Sequence, residues 1–287
     1  MDPIDTGYVS NVTRVETWEC DHNGHWNTRF YTRAFQYASE TVALLDGQGR
    51  NPGAATIASR HIRFHRELLS GDPVRVRSAA IQGGRWDGAV VHWLESAGRL
   101  SATALDLPGR VSPHLPRVPE AAVADALPRG LLHAAPLAQA ARADGRRVPL
   151  SILRPAAYDH TGALAFDELF RYLTYASYDH HTSLGYTPRF MAQAGVGRMV
   201  VEMRATWLGQ APAGMGIQSN SWLTHVQGKS FSTAHYLETL QGDPIALIEL
   251  LLVAVDMKSR RATQVPDFLQ ALARTAANAP ENIAGSA

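Results

Sequence analysis

Residues 21–47, DHNGHWNTRFYTRAFQYASETVALLDG, return in altered form 138 positions further on as residues 159–185, DHTGALAFDELFRYLTYASYDHHTSLG. The two stretches align without a gap over 27 positions. Eight pairs are identical: Asp21/Asp159, His22/His160, Gly24/Gly162, Arg33/Arg171, Tyr37/Tyr175, Ala38/Ala176, Ser39/Ser177 and Gly47/Gly185. Unrelated segments of this length would share roughly two at average residue frequencies. The chain therefore carries an internal duplication, and each copy must be read as one structural unit.

Each unit has the same layout. A strand-like run, NVTRVETWE (11–19) or LSILRPAAY (150–158), leads into a DH-x-G turn and then a helical stretch of about 18 residues. In the first copy Phe35, Ala38, Val42 and Leu45 recur at helical spacing and Gly47 ends the run. In the second, Leu169, Leu173, Ala176 and Leu184 do the same, ending at Gly185. Four strand-like segments follow in each: TIASRHIRF, PVRVRSAAI, GAVVHWLES and LSATALDL, then GRMVVEMRATWL, MGIQSNSWLTH, KSFSTAHYLE and IALIELLLVAV. Turn chemistry at 71–73 (GDP), 82–88 (QGGRWDG), 226–229 (VQGK) and 241–244 (QGDP) separates them. A meander of this kind is antiparallel, and the helix must bury its apolar stripe on one face of the sheet. The expected fold class is α+β, with a five-stranded antiparallel sheet wrapped on one long helix in each repeat. The expected divisions are 1–109 and 150–265 for the repeats, 110–149 for a surface-bound linker rich in Ala, Pro and Arg, and 266–287 for a tail with one short helix at DFLQALART.

Composition narrows the function. With 45% hydrophobic and 18% charged residues, the 287-residue chain reads as a soluble globular protein with a full core. Its 27 basic and 26 acidic residues nearly cancel, which argues against a global field for nucleic acid. A lone cysteine, Cys20, excludes an internal disulfide framework and suits a reducing compartment. No apolar run approaches the ~20 residues that span a bilayer. MDPIDTGYVS lacks the basic start and apolar stretch of a signal peptide, so the expected location is the cytoplasm.

The segment ECDHNGHWNTRFY (19–31) resembles the signature turn of the 4-hydroxybenzoyl-CoA-type acyl-CoA thioesterases, D-x-D-x-x-G-H-x-N-x-x-x-Y. Glu19 replaces the first Asp; Asp21, Gly24, His25, Asn27 and Tyr31 match. The resemblance covers about 105 N-terminal residues, and the C-terminal half mainly through the repeat, where Ala163, Leu164 and Ala165 replace His25, Trp26 and Asn27. It implies the hotdog fold and, with two copies, a double hotdog whose site lies between the repeats. It also implies that Asp21 acts as nucleophile or general base on a thioester, with a backbone N–H near Thr28 polarising the carbonyl. The substrate would be an acyl-CoA or acyl carrier protein conjugate, with no metal or cofactor, and two double hotdogs could pair further as a homodimer. The chemistry is sound in itself: a helix N-terminus offers unpaired N–H groups and a positive dipole end to an oxyanion. Asn27 is placed to cap that helix, and Gly24 permits the tight turn before it.

Other residues admit two readings each. Asp21 is also a common turn residue. His25 could orient the carboxylate or simply bond within the loop. His22 recurs as His160, which suits a shared structural hydrogen bond. Asp159 keeps the carboxylate without its companions, so the second site reads as degenerate. The second helix could still complete the first site through YDHH (178–181), where His180 falls on the apolar stripe and needs a partner or a role. Two adjacent helical histidines point about 100° apart, which excludes a shared metal ion. Glu40 is the nearest helix glutamate. Trp26, Tyr31, Trp18 and Phe30 could line an acyl pocket or pack in the core. Arg60, Arg63, Arg66, Arg75 and Arg77 could meet the carrier's phosphates or form plain solvated strand faces; alternation puts Arg60 and Arg66 opposite Arg63. Two further functions share this fold: a hydratase or dehydratase, whose own motif is not found here, and a catalytically silent thioester-binding protein.

Overall fold

Where each long helix begins is decided by a few residues ahead of it. The chain's computed structural model describes residues 7–21, 23–46, 57–107, 112–132 and 145–277; His22, Gly47 and part of the linker lie outside them. Helix α1 (Thr28–Leu45) starts at Asn27, whose side-chain oxygen accepts the Arg29 N–H at 3.0 Å. Helix α2 (Phe166–Ser183) has Ala165 in the capping place and no side-chain cap; Asp167 and Glu168 complement the positive end instead. Gly185 follows α2 at φ +100°, the left-handed stop its residue type permits.

The runs ahead of the helices are shorter strands than expected. Strand β1 (Tyr8–Arg14) ends before Glu16 and Glu19 form a reciprocal cap around a single 3-10 turn at Thr17–Glu19. In the second copy β7 (Arg146–Ile152) gives way to a similar turn at Pro155–Ala157, where proline fixes φ and removes a ladder donor.

The remaining first-half strands are β2 (Ser59–Phe64), β3 (Pro73–Gln82), β4 (Val90–Ser96), β5 (Arg99–Leu107) and the short β6 (Arg117–Pro119). The second half has β8 (Val196–Trp207), β9 (Gly216–Gln227), β10 (Ser230–Thr239), β11 (Pro244–Asp256) and the short β12 (Arg261–Ala262). One continuous antiparallel path runs β1-β3-β4-β5-β2-β8-β11-β10-β9-β7, with β6 added parallel to β3 and β12 antiparallel to β11. The two five-stranded sheets meet edge to edge at β2 and β8, where Arg60 faces Ala205 and Ile62 faces Met203. That register is compatible with a pseudo-two-fold relating Arg60 to Met203 and Ile62 to Ala205. The cross-strand pairs Ser78/His92 and Ser221/His235 obey the same relation.

Both helices bury their apolar stripes on the sheet in one core, through Phe35 and Ala38 from α1 and Leu169, Leu173 and Ala176 from α2. Two further helices flank them. Helix α3 (Pro188–Ala194), unforeseen, has Thr187 as cap, proline at its first position and Gly195 at φ +65° behind it. Helix α4 (Asp267–Ala277) forms where DFLQALART predicts one. Among the described residues no helix is long and apolar enough to cross a membrane.

Residues 112–132 of the linker lie across the outer face of the first sheet and share its burial. Val118, Val123 and Ala126 pack on Ile81, Val91, Trp93 and Leu105, so all seven residues of β4 are buried. Glu202 on β8 anchors this segment, accepting the N–H groups of Arg129, Gly130 and Leu131 at 3.0, 2.7 and 3.2 Å. His61 Nε2 lies 2.6 Å from the same carboxylate. Burial opposes ionisation of Glu202, but the His61 ring and the backbone donors outweigh it and hold the pKa down at about 2. Glu202→Gln should therefore cost about 2–3 kcal/mol in urea unfolding at neutral pH. The folded pKa lies below the unfolded one, so this stabilisation is complete above about pH 4.5 and is lost as pH falls toward 2.

Candidate active site

The DH-x-G turn is held by its own aspartate. Asp21 Oδ1 accepts the N–H groups of Asn23 (2.8 Å) and His25 (3.1 Å), while among the described residues Oδ2 meets only the Asn23 amide, at 3.4 Å. Gly24 makes the reversal at φ +78°. The turn is fixed to the helix by Glu19, the residue in the signature's first acidic position. Its buried carboxylate accepts the Trp26 indole N–H at 2.8 Å and pairs with Arg33 of α1. Trp26 packs on Tyr31 with ring centroids 4.5 Å apart, and Tyr31 meets Phe64 edge-on at 5.7 Å. Burial pushes the Tyr31 phenol far above its ordinary pKa, so it stays protonated.

This turn opens on a cavity of about 1080 Å³ between the repeats. Asp21, Asn23, His25, Trp26, Asn27, Thr28 and Tyr31 line one side. The other side is the flank of α2, with β8 and β11 behind it: Phe170, Leu173, Thr174, Ser177, His181 and Leu250. The volume suits a small-molecule ligand and its lining is mainly apolar with a few polar groups. At its edge His25 Nε2 lies 3.3 Å from Glu67 and 3.4 Å from Arg260, which are themselves paired.

The pseudo-two-fold makes an internal control. Asp159 repeats the turn, its Oδ1 accepting the N–H groups of Thr161 (2.8 Å) and Ala163 (3.1 Å), with Gly162 at φ +82°. The ends of the two helices differ, however. The first N–H of α2, on Phe166, is taken by the Gln36 side-chain oxygen of α1 at 3.3 Å, and the Arg60 guanidinium covers the Phe166 ring at 5.1 Å. The equivalent N–H of α1, on Thr28, meets no side-chain acceptor among the described residues, and Thr28 is one of the residues that line the cavity. Thr174 stands where Gln36 stands in the other copy, and its hydroxyl turns back to the Phe170 carbonyl at 3.0 Å. One helix N-terminus is open and the other is filled.

Several sequence expectations land elsewhere. Arg60 is wholly buried, held by Asp106 at 2.6 and 2.7 Å, and does not face a carrier's phosphates. Arg63 donates to the carbonyls of Ala124 and Leu127 in the docked linker. Arg66 donates to the carbonyls of Ser96 and Arg99 and to the Ser101 hydroxyl, and also lines the cavity. Gly24 shapes the turn without lining the cavity. Glu40 accepts from Gln36 at 2.7 Å, in the filled end. Trp18 is exposed. His180 is buried behind the lining, its ring 5.9 Å from that of His235, and it is His181 that enters the cavity. Burial pulls the His180 pKa down to about 4, so it is neutral at physiological pH. Thr174 and Ser177 were missed, and His181 entered only as part of YDHH (178–181), with His180 preferred to it.

Solved structures share the architecture. A protein assigned as an oleoyl thioesterase from Lactobacillus plantarum matches 88% of this chain and 98% of its own, with a TM-score of 0.58 at 13% identity. An acyl-ACP thioesterase from Bacteroides thetaiotaomicron matches 84% and 96% (0.56, 8% identity), and a 12:0-ACP thioesterase from Umbellularia californica matches 85% and 93% (0.53, 12% identity). At such identities the likeness shows the fold, a double hotdog. No curated protein matches. The family sequence pattern covers both repeats and stops at the linker, over residues 15–111 and 153–272, and by it the chain belongs to the Thioesterase-like superfamily.

Proposed function

We propose that the chain hydrolyses an acyl thioester, carried on coenzyme A or an acyl carrier protein, at a single site formed by the Asp21 turn, the start of α1 and the flank of α2. The observation that carries this reading is the difference between the helix N-termini: Thr28 lines the cavity and its N–H meets no side-chain acceptor among the described residues, whereas its counterpart on Phe166 is capped by Gln36. A thioester carbonyl at Thr28 would place its developing charge on the open positive end of α1. Asp21 lies in the same lining, with Oδ2 the freer of its two oxygens. As base it takes a proton from water while the water oxygen bonds the carbonyl carbon; collapse of the intermediate breaks C–S and returns a proton to the departing thiolate. As nucleophile its oxygen bonds the carbonyl carbon, the C–S bond breaks and the thiolate leaves, taking a proton from solvent; water then opens the resulting acyl anhydride to the free acid and regenerates the carboxylate. His25, tied to Asp21 through its N–H, keeps the carboxylate in place. The solved neighbours named for acyl-ACP and oleoyl substrates support the same substrate class.

Thiol release across a panel of acyl-CoAs and acyl carrier protein conjugates tests this, and release from none of them would overturn it. Thr28→Pro isolates the oxyanion donor. Proline suits the first position of a helix, where it removes an N–H that the helix does not use. Asn27 already has the extended backbone (φ −64°, ψ 138°) that a residue before proline adopts. The variant should fold with an unchanged melting temperature and lose on the order of 10²–10³ in kcat. Full activity would remove Thr28 from the mechanism.

A further inference from the structure

The flank of α2 changes character along its length. Phe170, Leu173, Thr174, Ser177, Tyr178 and His181 form one helical face on the cavity. The start of that face is apolar; its end is not. His181 is 1% exposed, with Nδ1 3.2 Å from the Ser177 hydroxyl, and its Nε2 has no hydrogen-bond partner among the described residues. Burial first, and then the nearby Arg198, hold His181 far below its ordinary pKa, leaving a neutral ring with one unused polar atom.

Arg198 on β8 lines the same cavity. Its guanidinium lies 5.2 Å from the ring of the fully buried Tyr186 and 5.9 Å from that of Tyr178. Its polar contact is a 3.2 Å approach to the Met191 sulfur, a weak acceptor. No carboxylate lies within ion-pair distance of it among the described residues, whereas Arg29, Arg33, Arg60, Arg171 and Arg260 all have one. Arg198 is half-buried rather than removed from water, but a guanidinium partly desolvated without an anion still carries a cost, and the unpaired, buried imidazole nitrogen of His181 adds to it.

We infer that Arg198, His181 and Ser177 form an anion subsite, and that the substrate acyl group carries a carboxylate at its far end: the thioester of a dicarboxylic acid. The inference rests on the thioesterase reading for which end of the cavity holds the thioester. Thr174 marks that end, being the counterpart of the residue that touches the helix N–H in the filled copy. His181 lies seven residues further along α2, about 10 Å at the helical rise of 1.5 Å per residue. At roughly 1.2 Å per bond of an extended chain, that distance calls for an acyl group of about eight carbons. A phosphate of the carrier offers the same anionic chemistry. The burial of His181 and Tyr186 favours the smaller, singly charged carboxylate.

The experiment compares suberoyl-CoA with octanoyl-CoA, equal in length and differing in the terminal carboxylate. Wild type should prefer suberoyl-CoA by 30-fold or more in kcat/KM. Arg198→Met should bring the ratio below 3, and Arg198→Lys should restore part of it. A wild-type ratio near 1 overturns the inference, as does a ratio that survives in Arg198→Met. Equal loss of both substrates in Arg198→Met also overturns it, because the cation would then be holding the carrier. Calorimetry with the thioethers S-(7-carboxyheptyl)-CoA and S-octyl-CoA reads the same preference without turnover. It separates failure of the subsite from failure of the hydrolase reading, and it judges Arg198→Met by its binding ratio once circular dichroism shows the variant folded.

Discussion

Asp21→Asn should lower kcat/KM for thioester hydrolysis by 10²-fold or more, a loss of the size expected when a positioned general base is removed. Asp159→Asn should leave it within threefold. The pair is informative because both aspartates do the same structural work. Each offers one carboxylate oxygen to two backbone N–H groups of its turn, and an Asn carboxamide oxygen accepts those bonds equally well. Stability should therefore change little in either variant, and a difference in rate reports the carboxylate alone. Thiol release with a chromogenic disulfide gives the rates, and thermal unfolding gives the control. A wild-type rate in Asp21→Asn would sink the assignment, and equal losses in both variants would mean that the filled end also takes part. Mass spectrometry of a slow substrate's single turnover then separates the two roles: a protein heavier by the acyl group marks Asp21 as nucleophile.

How far the sequence carried this depends on the range of the interactions. Asn27 as helix cap, Gly24 in a left-handed turn and the lengths of both long helices were legible because capping, φ sign and periodicity are local properties. Two units were legible because a duplication exposes itself, and the double hotdog followed from the resemblance of ECDHNGHWNTRFY (19–31) to a known signature turn. Arg60 shows where such reasoning stops. Alternation correctly set it opposite Arg63, but which strand face is buried depends on β2 lying between β5 and β8, and Asp106 is 46 residues away. The docked linker was hidden for the same reason, since Glu202 reaches it across more than 70 positions. His180 was chosen over His181 because it continues the apolar spacing; the cavity cuts the helix surface one position to the side of that stripe.

The second large effect concerns the side chains that fill the other end. Arg60 is wholly buried and pairs with Asp106 through two hydrogen bonds, while Ser39 and His92 complete the carboxylate's contacts at 2.8 and 3.1 Å. Burial alone would push the Asp106 pKa up; Arg60 outweighs it and holds the group well below the usual carboxylate range. Asp106→Leu strands the guanidinium and should cost about 3–5 kcal/mol, read from denaturant unfolding. The protein supplies its own remedy. Under the pseudo-two-fold the pair Arg60/Asp106 corresponds to Met203/Leu250, the same cross-strand position occupied by two apolar residues. The double variant Arg60→Met, Asp106→Leu copies that arrangement and should recover to within about 1 kcal/mol of wild type, since a well-packed apolar pair commonly equals a buried ion pair in stability. The cycle should then show a coupling above about 2 kcal/mol, and simple addition of the two single losses would refute it. If the double variant is stable, the buried pair is not required for folding. Its consequence is then steric and electrostatic: with Gln36 it closes the start of α2, so that of the two long helices α1 alone begins without a side-chain acceptor on its first N–H among the described residues.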